Sequence, residues 1–87
     1  MRKIAFDAKA FEDYNYWEKN DSGIYEKIKD LIKDIYREPF KGIGKPEPLK
    51  GNYKGFWSRK INSEHRLIYT VNDREIFILA CRYHYEK

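Results

Sequence analysis

One amphipathic stripe in the first half of the chain constrains the fold more than any other feature. Branched apolar residues recur at helical spacing as Ile24, Ile28, Leu31, Ile32 and Ile35. This spacing places them on one face of a helix, and lysines and aspartates occupy the other face. Asp21 or Ser22 is suited to cap the start of this helix, and Glu38-Pro39 ends it because proline disfavours a helical residue before it.

The residues before this helix predict two further elements. Residues 2–6 alternate weakly between apolar and polar side chains, which indicates a short strand. Residues 8–19 indicate a first helix that Asp7 can cap. Its predicted apolar stripe follows three-residue steps at Ala8, Phe11, Tyr14 and Trp17.

The second half of the chain predicts strands. Residues 39–52 are rich in glycine, proline and lysine and indicate a long ordered loop, a kind of segment that is often functional in small domains. Strands are expected after it at residues 53–62, 65–71 and 75–84. The order β-α-α-β-β-β predicts one α+β domain over residues 1–87, with a mostly antiparallel sheet of four or five strands and both helices packed on one face.

Composition narrows the class of protein. The chain has 87 residues, one cysteine (Cys81) and two histidines (His65 and His84), a set that forbids an internal disulfide and disfavours a zinc site. We therefore expect no metal or cofactor and a reducing, cytoplasmic location. No apolar run approaches the length of a membrane span, and the N-terminal residues lack the apolar core of a signal peptide.

Charge and aromatic content differ between the two parts of the chain. Residues 1–36 contain seven Lys and Arg against eight Asp and Glu, whereas residues 37–87 contain eleven against six. Aromatic residues make up 17% of the chain and interleave with these cations. Cations that bind phosphate and rings that stack on bases are typical of RNA-binding surfaces. An ordinary basic surface over a tyrosine-rich core has the same composition.

Four features form a set that suits cleavage of RNA by its own 2′-hydroxyl. Glu47 lies between two prolines and is either a general base on a stiff segment or a solvated loop acid. Arg66 with Lys50 is suited to stabilise the charged transition state, although a solvent-facing side of a strand also accounts for the arginine. His84, between two tyrosines, is either an acid that protonates the leaving oxygen or part of an ordinary chain terminus, which its composition alone favours. The aromatic residues are suited to hold the nucleotides.

The chain resembles a known family at four motifs that occur in the family's order. The motifs are Gly44-Lys45-Pro46-Glu47-Pro48-Leu49-Lys50, Gly55-Phe56-Trp57-Ser58-Arg59, Glu64-His65-Arg66-Leu67-Ile68-Tyr69 and Ala80-Cys81-Arg82-Tyr83-His84-Tyr85. In these motifs, and over nearly its whole length, the chain is similar to the YoeB/Txe toxins of the RelE/ParE superfamily of bacterial toxin–antitoxin components.

The resemblance implies a metal-independent endoribonuclease that cuts mRNA in the ribosomal A site and so arrests translation. It implies that Glu47 is the general base, Arg66 the transition-state cation and His84 the general acid. The residues expected to bind RNA are Lys50, Arg59, His65, Tyr83 and Tyr85. The partners that it implies are the ribosome, mRNA and a cognate antitoxin that covers the site, and a homodimer is compatible with it.

Two alternatives use the same fold or the same surface without catalysis. One is a toxin that inhibits DNA gyrase by binding, and the other is an RNA- or ribosome-binding module. Neither needs Glu47, Arg66 and His84 together, so the presence of all three favours the nuclease.

Overall fold

The computed structural model describes residues 2–84, which form two helices and five strands. In chain order these are β1 (Lys3–Phe6), α1 (Ala8–Asn20), α2 (Ser22–Arg37), β2 (Glu47–Pro48), β3 (Trp57–Lys60), β4 (Arg66–Val71) and β5 (Glu75–Ala80). The predicted order of elements is confirmed, and β2 is a short additional strand inside the predicted loop. Neither helix of these residues is long and apolar enough to cross a membrane.

Both helices begin at an aspartate, as predicted. The carboxylate of Asp7 accepts a hydrogen bond from the N–H of Lys9 at 3.1 Å, and that of Asp21 accepts from the N–H of Ile24 at 3.1 Å. These carboxylates satisfy backbone donors that have no partner within the first turn of a helix. Helix α2 ends at Arg37, shortly before the proline that was expected to stop it.

The buried face of α2 is the predicted one, whereas that of α1 is not. In α2 the buried apolar residues are Ile28, Leu31, Ile32 and Ile35. In α1 the buried residues are Ala10, Asp13 and Trp17, and the predicted core residue Phe11 is 53% exposed. At 3.6 residues per turn, successive three-residue steps drift around the helix, so the predicted α1 stripe spreads over about half of its circumference.

The sheet has the order β1-β5-β4-β3-β2. Strands β2, β3, β4 and β5 pair antiparallel, and β1 joins the edge of the sheet parallel to β5. The prediction of a mostly antiparallel sheet is therefore confirmed. The parallel pair brings the first strand of the chain against the last one, with Lys3 opposite Glu75.

The strand predicted at residues 53–62 is shorter than expected. A 3-10 turn occupies Gly51–Tyr53, and β3 begins only at Trp57. Gly51 and Gly55 have φ angles of 63° and 96°, which are incompatible with an extended strand. The chain thus makes a compact turn before it enters the sheet.

The strand predicted at residues 75–84 is also too long, because β5 ends at Ala80. Tyr83 has a φ of 68°, a left-handed conformation that a strand does not accommodate. The strands predicted at residues 2–6 and 65–71 differ from β1 and β4 by one residue at one end.

Both helices cover the same face of the sheet. Alternate residues of β4 and β5 (Leu67, Tyr69, Ile76 and Ile78) form one core cluster with the apolar faces of α1 and α2. Side chains at the alternate positions point to the opposite face. Neither α1 nor α2 covers that second face, which we call the open face.

Candidate active site on the open face

A polar cleft lies at the β2 end of the open face. It has a volume of about 240 Å³, and its lining residues are Lys45, Glu47, Ser58, Lys60 and Arg66. The strand register explains the grouping, because Glu47 lies opposite Ser58 and Lys60 lies opposite Arg66. The sheet therefore brings the predicted base and the predicted transition-state cation into one cleft with two lysines.

The Arg66 side chain is anchored by one end of its guanidinium. Nη1 donates to the backbone carbonyls of Asn62 at 2.8 Å and His65 at 3.1 Å. Nε and Nη2 make no hydrogen bond to any of residues 2–84. An arginine that is fixed at one nitrogen, with the other two nitrogens not bonded to the described residues, is suited to bind a phosphate group.

The Glu47 carboxylate is exposed, but its backbone is constrained. Pro46 and Pro48 flank it, and β2 pairs with β3 through Glu47 and Pro48. Within the described part of the chain the carboxylate forms no ion pair or hydrogen bond. A carboxylate that is held by its backbone and has no side-chain partner is available to accept a proton from a substrate.

His84 lines a second cavity on the open face. This cavity has a volume of about 340 Å³, and its lining residues are Tyr53, Ile68, Leu79, Ala80, Arg82, Tyr83 and His84. Ser58 of the polar cleft and Ile68 of this cavity are cross-strand partners, so the two cavities lie side by side. Tyr83, next to His84, accepts a hydrogen bond from the backbone N–H of Arg66 at 3.1 Å.

The predicted RNA-binding residues separate into two groups. Lys50 and Tyr83 are exposed, and Tyr83 lines the cavity of His84. Tyr85 lies outside the described residues. Arg59 and His65 are buried, so their side chains are not accessible on the surface described here, and their contact with RNA stays a prediction.

Arg59 has a structural environment because its side chain points to the helix-covered face. Its exposure is 0%, and Nη1 donates to Oδ2 of Asp34 at 2.5 Å. Further bonds reach the carbonyls of Glu38 (2.8 Å), Lys41 (3.1 Å) and Ile43 (3.1 Å) and the hydroxyl of Tyr69 (3.1 Å). The hydrogen bond from Arg59 holds the pKa of Asp34 below its usual range. Every guanidinium nitrogen is occupied within the protein.

His65 is also used inside the protein. It is 6% exposed, its Nδ1 accepts the backbone N–H of Tyr83 at 2.7 Å, and its ring lies 4.9 Å from that of Trp17. It directly precedes β4. Within its motif the buried His65 is therefore next in sequence to Arg66, a residue of the cleft.

Two residues of the cleft, Ser58 and Lys60, are not among the predicted site residues. Ser58 and Lys60 flank the buried Arg59, and period-two alternation along β3 places both of them on the open face. That alternation could have predicted both residues from the sequence.

Among residues 2–84 there is no group of three or more His, Cys, Asp or Glu side chains arranged to hold a metal ion.

Comparison with known proteins identifies the family. The family of YoeB-like toxins of bacterial type II toxin–antitoxin systems matches residues 6–85, and the chain belongs to this family. Toxin YoeB of Synechocystis is 54% identical over 85 residues, which are 98% of this chain and 99% of that protein. The predicted resemblance is thus confirmed.

Solved structures of relatives have the same fold. A YoeB dimer from Staphylococcus aureus is 52% identical, with a TM-score of 0.91 over 97% of this chain and 98% of that one. A YoeB–YefM complex from the same organism is 50% identical, with a TM-score of 0.90 over 98% and 99% of the two chains. The predicted fold class is confirmed by these likenesses and by the strand order.

Proposed function

We propose that this type II toxin is an endoribonuclease that cleaves mRNA in the ribosomal A site by attack of the 2′-hydroxyl on the adjacent phosphate. The observation that carries the proposal is the grouping of Glu47 and Arg66 in one cleft, with His84 in the adjoining cavity. A base, a cation and an acid on neighbouring parts of one surface are the groups that this reaction needs.

Each step can be assigned to a side chain. Glu47 takes the proton of the 2′-hydroxyl as the 2′-oxygen forms a bond to phosphorus. Arg66, with Lys45 and Lys60, stabilises the negative charge that develops on the phosphate oxygens. The bond between phosphorus and the 5′-oxygen breaks, and His84 protonates that oxygen. The products are a 2′,3′-cyclic phosphate and a free 5′-hydroxyl, and no step draws on a metal or cofactor.

The exposure of the site supports dependence on the ribosome. Glu47 and His84 are both exposed, and the two cavities lie on the open face of the sheet. Such a surface does not itself force the 2′-oxygen, the phosphorus and the leaving oxygen into line. A codon held in the A site would supply this orientation, which is worth much of the barrier in reactions of this kind. The activity then belongs in the bacterial cytoplasm.

The proposal also includes a protein partner. A YoeB relative from S. aureus has been solved in complex with YefM, and another as a dimer. We therefore expect a cognate antitoxin to bind this chain and to block cleavage, and we expect self-association to be measurable by sedimentation. The net charge of +4 favours an acidic antitoxin segment and the polyanionic ribosome as partners.

Cleavage of a programmed ribosome complex tests the proposal. Glu47→Gln, Arg66→Gln and His84→Gln should each lower the single-turnover rate by about 10²–10⁴-fold, because each removes one acid–base or charge-stabilising group. Lys54→Gln is the matched control, since Lys54 is exposed and lines neither cavity.

Three results would contradict the proposal. Wild-type rates in all three variants would remove the assigned chemistry. Equal cleavage of naked mRNA and ribosome-bound mRNA would remove the ribosome from the mechanism. Growth arrest with intact transcripts and inhibited DNA gyrase would favour the non-catalytic toxin instead.

A further inference from the structure

The residues that carry His84 lie beyond the sheet. Strand β5 ends at Ala80, so no strand ladder holds residues 81–84, which we call the C-terminal segment. Tyr83 has a φ of 68°, a left-handed conformation that is strained for a residue other than glycine. Its N–H donates to Nδ1 of His65 at 2.7 Å, and its carbonyl accepts from the N–H of Arg66 at 3.1 Å. These two bonds hold the turn directly before His84.

Helix α1 provides a second attachment through Arg82. The guanidinium carbon of Arg82 lies 3.9 Å from the ring centroid of Tyr16, 4.9 Å from that of Tyr83 and 5.5 Å from that of Trp17. Its Nη1 lies 3.6 Å from Oδ1 of Asp13. Its Nε is buried and has no hydrogen-bond partner among residues 2–84. Ring faces and one ion pair therefore hold this side chain.

We propose that Arg82 is a positioning residue for His84. The contact of its guanidinium with the rings of Tyr16 and Trp17, which we call the Arg82 seat, fixes the C-terminal segment against α1. The inference rests on the proposed function, in which His84 protonates the leaving oxygen. Trp17 adds a direct bond, because its Nε1 donates to the carbonyl of Cys81 at 3.0 Å. The backbone on both sides of Arg82 is thus fixed, and the imidazole two residues later is directed to the open face.

Tyr16 allows the inference to be tested without disturbing the cavities. Its side chain is 39% exposed, it belongs to α1, and it lines neither cavity. Tyr16→Ala removes the ring closest to Arg82, whereas Tyr16→Phe keeps it. Phe11→Ala removes an aromatic side chain from the same helix, one that is 53% exposed and that contacts Phe6 rather than Arg82.

The expected result on ribosome-bound mRNA is a slower chemical step at saturating toxin. Tyr16→Ala and Arg82→Lys should each lower the single-turnover rate by roughly 10–100-fold, the loss that small displacements of a reacting group produce. Tyr16→Phe and Phe11→Ala should stay within about twofold of the wild type, because both retain the Arg82 seat. Arg82→Lys keeps the charge near Asp13 but loses the planar stack, and it serves as the second variant should Tyr16→Ala fold poorly.

A sulfur substrate separates positioning of the acid from any other role. When sulfur replaces the 5′-oxygen at the scissile phosphate, the leaving thiolate needs no proton, since thiols ionise at a pKa of about 8.5. The same ribosome complex is programmed with oxygen or sulfur at this position. If Arg82 and Tyr16 act through His84, then Tyr16→Ala, Arg82→Lys and His84→Gln should all cleave the sulfur substrate within about threefold of the wild type.

The outcomes distinguish this inference from the function on which it rests. If His84→Gln recovers on the sulfur substrate but Tyr16→Ala and Arg82→Lys remain slow, the positioning role is wrong and the acid role of His84 stands. If His84→Gln is not slow on the oxygen substrate, or does not recover with sulfur, the acid role fails and the positioning role fails with it. Wild-type rates of Tyr16→Ala and Arg82→Lys on the oxygen substrate would also overturn the inference.

Discussion

The two sides of the candidate active site are each held by one arginine. One arginine forms buried hydrogen bonds, and the other contacts the faces of aromatic rings. Arg59 is fully buried, and its guanidinium bonds to Asp34 and to three backbone carbonyls of the loop that leads to Glu47. Arg82 is partly exposed, and it contacts ring faces of α1 on the side that leads to His84.

The difference separates stability from activity. Charge-assisted hydrogen bonds in a buried site fix distance and angle, and the fold depends on them because an unpaired buried charge is costly. Cation–ring contacts near the surface contribute about 0.5–2 kcal/mol and tolerate displacement. We therefore expect substitutions on the Glu47 side to lower the stability of the fold. Substitutions on the His84 side should instead lower the rate of cleavage.

The largest expected effect is that of Arg59→Met. The substitution removes the buried cation from Asp34, which keeps only the exposed Arg37 and the backbone N–H of Ile43, and it leaves three backbone carbonyls without their arginine donor. The free energy of unfolding should therefore fall by about 3–5 kcal/mol. Urea denaturation followed by circular dichroism measures this loss.

The double variant Asp34→Asn/Arg59→Met provides the control for this experiment. Because both charges are removed together, its loss should be smaller than the sum of the two single losses. A loss below about 1 kcal/mol for Arg59→Met alone would mean that Arg59 contributes no more to stability than an ordinary surface ion pair. The proposed difference between Arg59 and Arg82 would then be wrong.

The next effect is expected at Gly42, in the loop that Arg59 holds. A Cβ at this position would lie 1.9 Å from Oδ2 of Asp34, and the φ of 129° is accessible to glycine alone. Gly51→Ala is the matched control, because Gly51 has a φ of 63° with nothing within 4 Å of the added carbon. Thermal unfolding should show a loss of about 1–2 kcal/mol for Gly51→Ala and a larger one for Gly42→Ala. Equal losses would mean that the loop yields without disturbing Asp34.

Acid should weaken the Glu47 side through Asp34. The Arg59 hydrogen bond holds the pKa of this carboxyl below its usual range, so the ionised form stabilises the folded protein at pH values above the unfolded pKa of about 3.9. This contribution is lost as the pH falls through the lower, folded pKa. Denaturation from pH 6 down to pH 2 should therefore show a smaller loss of stability for Asp34→Asn than for the wild type. Parallel profiles would contradict the assignment.

The smallest effect on stability is expected at Tyr16. Tyr16→Ala removes a partly exposed cation–ring contact and should lower the free energy of unfolding by only about 0.5–1 kcal/mol. Tyr16→Phe should leave it unchanged. A loss as large as that of Arg59→Met would show that the two sides do not differ.

Cys81 reports directly on the C-terminal segment. Burial raises the pKa of its thiol to about 12, so the folded protein should resist alkylation by iodoacetamide at pH 8. Loosening of the Arg82 seat should expose this thiol more often. We expect faster alkylation of Tyr16→Ala than of Tyr16→Phe, measured by mass spectrometry, and equal rates would argue against a loosened segment.

The sequence predicted the fold well where periodicity was strong. Five apolar residues of α2 lie at helical spacing, and the four of them that are buried form the predicted core face. The three-residue steps of α1 were ambiguous, because they do not follow one face of a helix. The extent of β3 and β5 depended on φ angles at Gly55 and Tyr83, which result from tertiary contacts that periodicity does not contain.

The sequence indicated which residues belong to the candidate site better than it indicated what surrounds them. Sequence placed Glu47 on a stiff extended segment, and β2 has that form. Strand alternation could have shown that Arg59 points away from Ser58 and Lys60, but the motif that contains all three does not distinguish the two faces. The contact of Arg82 with α1 joins residues more than 60 positions apart, and nothing in the local sequence indicates it.

The parallel pairing of β1 with β5 has a consequence for the timing of assembly. Ile4 in β1 pairs with Ile76 in β5, so β1 can join the sheet only when most of the chain has been synthesised. His84 follows still later. Under the proposed function, a nascent chain that still lacks these residues has no complete catalytic surface and cannot yet cleave mRNA on the ribosome that synthesises it.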